Sequence, residues 1–155
     1  MKDLKNIKYI ILDLDGTAYN PKFLKTLFGQ VSSRMTDFIS LKLGIEKNKA
    51  KEIQQEYFYK YDTSLNGLMK NYPDLVDGHE FLKYVHNISY DCLEKDIKLR
   101  EELLKLNVKT FCATNGSKVH AINCMKKIGI DDLFEDKIMD IVDFNFKPKP
   151  NPESL

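Results

Sequence analysis

A compact apolar run, Tyr9-Ile10-Ile11-Leu12, breaks abruptly into Asp13-Leu14-Asp15-Gly16-Thr17. A short run of this kind, bounded by a turn signal, predicts a fully buried strand of a parallel sheet. From about residue 20 to 105 the spacing becomes helical. Phe23, Leu27, Val31, Met35 and Phe38 recur every three or four residues, and Gly44 follows as a C-terminal cap. Lys47 to Tyr61 predicts a second helix carrying Ile53, Tyr57 and Tyr61. Asp62-Thr63-Ser64 offers an N-cap to a third, with Leu65, Leu68 and Met69, which Asn71-Tyr72-Pro73 ends. Asp77-Gly78 leads into Phe81, Leu82 and Val85, and Leu99, Leu103, Leu104 and Leu106 mark a further amphipathic helix. Strand character returns at Val108 to Ala113, and Thr114-Asn115-Gly116-Ser117 forms a loop with a helix N-cap. A helix from Lys118 to Ile128 closes on Gly129, and a short strand spans Ile138 to Val142. Phe146-Lys147-Pro148-Lys149-Pro150 continues neither element, because proline lacks the backbone donor.

The order is strand, helical insert, strand, helix, strand, loop. It predicts an α/β fold built on a doubly wound parallel sheet. The core is expected from residues 1–19 and 106–155, with 20–105 as an inserted helical unit. In such sheets the ligand crevice lies beyond the carboxyl ends of the strands. Asp13 and Asp15, Thr114 and Asn115, and Lys149 each follow a strand, so all should gather at one sheet edge. Alternation places Asp13 and Asp15 on one side and Leu14 on the other. Two carboxylates so close repel unless a cation or a proton separates them, and oxygen donors suit Mg²⁺.

Composition narrows the function classes. The chain has 155 residues, 43% of them hydrophobic, enough for one cored domain. Its 24 basic and 23 acidic residues leave a net charge of +1, which predicts no preference for nucleic acid or an anionic membrane. No apolar stretch approaches the roughly 20 residues of a membrane span, and no secretory signal is visible. Cys92, Cys112 and Cys124 show neither a C-x-x-C pair nor a zinc spacing and read as reduced cytosolic thiols. Cys112, inside a strand, should be buried and inert. His79, His86 and His120 have no ligand spacing with the cysteines; His120, one helical turn from the Thr114 loop, could reach a substrate but reads first as surface. Tyr57, Phe58, Tyr59 and Tyr61 read as helix packing before base stacking.

The strand-end groups form a chemical set. A carboxylate attacks phosphorus, a hydroxyl with backbone donors holds the equatorial oxygens, and a lysine neutralises charge. Asp13-Leu14-Asp15-Gly16-Thr17, Thr114-Asn115 and Lys149 in a Lys-Pro pair resemble the first three motifs of the haloacid dehalogenase-like superfamily. Further matches are to bacterial members of its pyrimidine 5′-nucleotidase branch. They comprise Arg34-Met35-Thr36-Asp37-Phe38-Ile39, Tyr61-Asp62-Thr63-Ser64-Leu65-Asn66-Gly67-Leu68-Met69, Thr114-Asn115-Gly116-Ser117 and Phe146-Lys147-Pro148-Lys149-Pro150. The resemblance implies a Rossmann-like core with a helical cap, in the cytoplasm, hydrolysing a small phosphomonoester, most readily a pyrimidine nucleoside monophosphate. It implies that Asp13 is the nucleophile and a Mg²⁺ ligand. Asp15 is then the acid–base and contacts the metal through its backbone carbonyl. Thr114 and Asn115 hold the phosphoryl group, and Lys149 neutralises charge, with Lys147 as the alternative. Asn66 and Lys70 would reach substrate from the cap by the same analogy. Retention of Asp15 marks phosphoryl transfer over carbon–halogen cleavage.

The superfamily's fourth motif, an acidic pair beyond the lysine loop that completes the Mg²⁺ site, has no counterpart before Leu155. Asp131-Asp132 reads instead as a helix N-cap and turn. The expectation is therefore a chain lacking its last strands, with the first strand an exposed edge prone to pairing. Such a chain would be poorly soluble or bind Mg²⁺ weakly. A phosphatase for another small phosphate, such as phosphoglycolate or a sugar phosphate, and an inactive protein that only binds are the alternatives.

Overall fold

The structure, a computed structural model, describes residues 7–154. Three parallel strands, β1 (Tyr9–Leu12), β2 (Lys109–Ala113) and β3 (Ile138–Met139), form a sheet in the order β1-β2-β3. Leu12 lies opposite Cys112, which lies opposite Ile138, so the carboxyl ends of all three strands meet at one edge. The helices are α1 (Leu24–Leu43), α2 (Lys47–Tyr61), α3 (Ser64–Asn71), α4 (Gly78–Val85), α5 (Ile97–Leu104) and α6 (Lys118–Ile128).

Their ends follow local chemistry. The side chains of Thr63, Asp77, Asp96 and Ser117 each accept a hydrogen bond from the backbone N–H three residues on, which satisfies one orphan donor per helix. Gly44 and Gly129 close α1 and α6 in the left-handed region, at φ of 65° and 83°. Asp131–Leu133 forms a single 3₁₀ turn, and Asp132 pairs with Arg100 at 2.6 Å.

Two expectations need correction. The first strand is not fully buried: Tyr9 and Ile11 are 57% and 52% exposed, whereas Leu12 packs into the core. Period-two alternation explains this, because only one face of β1 is covered. The third strand stops at Met139 and does not reach Val142. The Asp140 carboxylate accepts from Val142 N and Asp143 N at 2.9 and 3.1 Å, and Asp143 accepts from Asp140 N at 3.0 Å. These side-chain bonds replace the ladder and turn the chain.

Two apolar clusters hold the molecule. One surrounds the sheet, with Leu14, Cys112, Met125, Ile128, Phe134 and Ile138 at its centre. The other lies among α1 to α4, around Phe38, Ile39, Leu68, Phe81 and Val85. Leu99 and Leu103 of α5 pack against the first cluster, as do Leu27 from the start of α1 and Tyr90 and Leu93 from the segment returning to the sheet. Within the second cluster α3 crosses α2 closely at Gly67, where a Cβ would overlap Tyr57.

Candidate active site

Asp13 follows the last residue of β1 directly, and its carboxylate is about half exposed at the sheet edge. Lys149 Nζ donates to Asp13 Oδ1 at 2.7 Å and also to the carbonyl of Ala113, the last residue of β2. Thr17 Oγ1 donates to Asp13 Oδ2 at 3.0 Å. Lys149 is fixed from behind, where its backbone N–H donates to Asn115 Oδ1 at 2.7 Å and its carbonyl accepts from Asn115 Nδ2 at 3.0 Å. The second and third loops are thus clasped by a two-way amide pair. Thr114 is fully buried, and its Oγ1 accepts from Gly116 N at 2.9 Å, which bends the loop. Lys147 points elsewhere and forms an ion pair with Glu153. Asp13, Asn115 and Lys149 therefore converge on one rim, with Thr114 buried behind it at the end of β2.

Asp15 lines the same cavity as Asp13, with one carboxylate oxygen tied back into the protein. Its Oδ1 accepts from the Tyr19 hydroxyl at 2.6 Å and from His120 Nε2 at 2.9 Å. Burial raises the Asp15 carboxyl, but the hydrogen bond and charge of His120, then Tyr19, outweigh it and hold the group below its ordinary range. Burial and the Asp15 charge push the Tyr19 phenol up, so it remains a donor.

The reading of His120 as a surface residue is overturned, since only 3% of it is exposed. Its Nδ1 contacts the Tyr90 hydroxyl at 3.0 Å, and its ring stacks on His86 at 4.6 Å. Ser117 Oγ, which already accepts from His120 N, lies 2.8 Å from His86 Nδ1. Burial, then the neighbouring His120, depresses His86 to about 3, so its ring is neutral. Tyr19, His86, Tyr90 and His120 were missed because their convergence is tertiary. The available signals were Tyr19 four residues after Asp15 and His120 three after the Ser117 cap.

The rim opens into a cavity of about 820 Å³ between the sheet edge and the helical insert. Phe28, Phe58 and Tyr59 line it while remaining 50%, 56% and 84% exposed. Tyr57 is packed instead, edge-on to Tyr61. Lys70 is exposed and lies over the Tyr61 ring, and Asn66 closes the first turn of α3.

A hard cation fits this donor set. Asp13 presents a half-exposed carboxylate whose oxygens retain acceptor capacity, and the Asp15 carbonyl accepts no hydrogen bond among the described residues. Mg²⁺ uses one or two such oxygens and keeps waters and substrate phosphate as its other ligands.

The sequence profile of the haloacid dehalogenase-like hydrolases matches residues 7–155. The chain belongs to this family. Phosphate metabolism protein 8 of Saccharomyces cerevisiae is 32% identical to this haloacid dehalogenase-like hydrolase over 137 residues. That match takes in 83% of the chain and 42% of the Saccharomyces protein, so the chain spans less than half of that relative's length. A solved HAD phosphatase from Thermococcus onnurineus aligns with 96% of this chain and 68% of its own, at a TM-score of 0.44 and 23% identity. Among the described residues of this haloacid dehalogenase-like hydrolase, no helix is long and apolar enough to cross a membrane.

Proposed function

We propose that the chain carries the phosphoryl-transfer machinery of a Mg²⁺-dependent phosphoric monoester hydrolase acting on pyrimidine nucleoside monophosphates. The observation that carries this reading is the Lys149–Asp13 contact at 2.7 Å, on a rim shared with Asn115. Lysine beside the carboxylate neutralises it enough for an anionic phosphate to approach. Asp13 then attacks phosphorus and expels the alkoxide, giving an aspartyl-phosphate. Thr114 and the Asn115 backbone hold the equatorial oxygens. Asp15 gives its proton to the leaving oxygen and later takes one from the water that attacks the phosphorus.

At rest Asp15 is ionised, the form of a base. The negative charge of a bound phosphate disfavours that ionisation and supplies the acid form. Asp13 and the Asp15 carbonyl would hold Mg²⁺, which masks the repulsion between carboxylate and phosphate. The unit built from α1 to α4 serves as the cap, closing over the cavity and excluding water. The exposed rings of Phe28, Phe58 and Tyr59, beside the amide of Gln55, support a planar, hydrogen-bonding base as the leaving group's far end. The thiols, in a charge-balanced chain, fit a cytoplasmic setting.

The test is a hydrolysis panel of UMP, CMP, AMP and sugar phosphates with the full-length protein and Mg²⁺. Preference for UMP and CMP, abolished by Asp13→Asn, is expected. Turnover unchanged in Asp13→Asn would end the reading.

A further inference from the structure

We infer that His120, held in place by Tyr90, is a positioning residue that selects which oxygen of Asp15 exchanges the catalytic proton. The inference rests on the phosphatase reading above and adds to it a residue outside the strand-end motifs. Asp15 lies in a turn that leaves β1 through Gly16, at a φ of 75°. A carboxylate so placed could rotate freely about its side-chain bonds. Instead Oδ1 is saturated by two donors, the Tyr19 hydroxyl and His120 Nε2. Oδ2 has no hydrogen-bond partner among the described residues, and Asp15 lines the cavity. The proton is therefore carried on Oδ2, with Oδ1 serving as the fixed end.

The hydrogen on His120 Nε2 follows from its neighbour. An ionised Asp15 only accepts, so Nε2 must carry a hydrogen. On the far side of the ring the Tyr90 hydroxyl bridges His120 Nδ1 at 3.0 Å and the His86 carbonyl at 3.1 Å. The His86 ring stacked on His120 removes the remaining freedom of the imidazole. His86 follows α4 directly, and Tyr90 lies in the return segment between α4 and α5. The ring that fixes the acid–base is therefore itself held by residues next to the proposed cap. Cys124 Sγ, 3.7 Å from Nε2, completes an enclosed pocket around the ring.

The experiment compares His120→Leu, His120→Gln and Tyr90→Phe in the full-length protein, with two substrates. One has an alkyl leaving group that needs a proton, as a ribose 5′-phosphate ester does. The other is p-nitrophenyl phosphate, whose leaving group departs without one. The expected result for His120→Leu is a loss of about 30-fold or more in kcat/KM on the alkyl ester, with less than about threefold on the aryl ester. His120→Gln, whose amide can place a donor near the Nε2 position, should restore much of the difference. Tyr90→Phe, which keeps the ring and the packing, should show the same substrate contrast in milder form. Urea midpoints within a few tenths of a molar of the parent exclude misfolding for Tyr90→Phe, so this variant decides the case if His120→Leu is unstable. Independently of turnover, the ring ¹⁵N resonances of His120 should show a protonated Nε2. Equal losses on both substrates, or an unprotonated Nε2, would overturn the inference and leave the phosphatase reading standing. A parent protein with no turnover on either ester would instead defeat the phosphatase reading.

Discussion

Lys149 Nζ donates to Asp13 Oδ1 at 2.7 Å although 136 residues separate the two in sequence. The sheet brings them together. Parallel pairing aligns the ends of β1 and β2, and the Asn115 side chain then clasps the Lys149 backbone in both directions. Lys149→Met should lower kcat/KM by about 100-fold or more, the usual cost of losing a preorganised charge at a developing anion. Lys147→Met, at an exposed ion pair, should leave it within about twofold. Steady-state kinetics on the full-length protein check both, and reversed effects would reassign the lysine.

The neutral His86 ring makes stability pH-dependent. Its pKa falls from 6.5 to about 3 on folding, so below 6.5 the unfolded chain binds a proton that the folded chain refuses. Stability is full above 6.5 and is lost as pH falls toward 3. Urea unfolding should give a contribution up to about 2 kcal/mol smaller at pH 5 than at pH 7.5. In His86→Gln that part of the pH dependence should vanish. An identical dependence in parent and variant would refute the assignment.

Gly67→Ala should destabilise the fold by about 1–3 kcal/mol, because the new methyl overlaps Tyr57 where α3 crosses α2. Gly29, which has open space around it, is the control. There an alanine should be neutral or mildly stabilising, since Gly29 lies within α1. Denaturation midpoints of the two variants decide this.

Thiol labelling should distinguish the cysteines. Cys112 and Cys124 are fully buried, and burial pushes the Cys112 thiol up to about 12 and Cys124 higher. Cys92 is only partly buried. A disulfide reagent should therefore modify one thiol in the native protein and three in denaturant. Rapid native modification of three would contradict the packing around the sheet.

Much of this architecture was legible in the chain. The helices announced themselves through apolar spacing and caps, so Lys47 to Tyr61 and Lys118 to Ile128 match α2 and α6 end to end. Those signals are local. The strands were less legible at their margins. Whether Tyr9 and Ile11 are covered depends on what packs against each face, and the end of β3 depends on Asp140 competing for backbone donors. At the site, Asp13 and Lys149 could be paired in advance because each follows a strand. The His120–Asp15 contact could not, since α6 must first pack against the β1 loop before the imidazole finds a carboxylate. The spacing of His120 with Ala121, Cys124, Met125 and Ile128 puts it on the apolar face of α6, but not against any particular partner.

Attack of Asp13 on phosphorus would leave a covalent intermediate that can be trapped. The most direct measurement is a rapid quench of the full-length protein with ³²P-labelled UMP and Mg²⁺ in acid, followed by peptide mapping. A hydroxylamine-labile label is expected on the peptide containing Asp13, and none in Asp13→Asn. Catalytic turnover with no covalent label at any quench time, or a label on another residue, would contradict attack by Asp13.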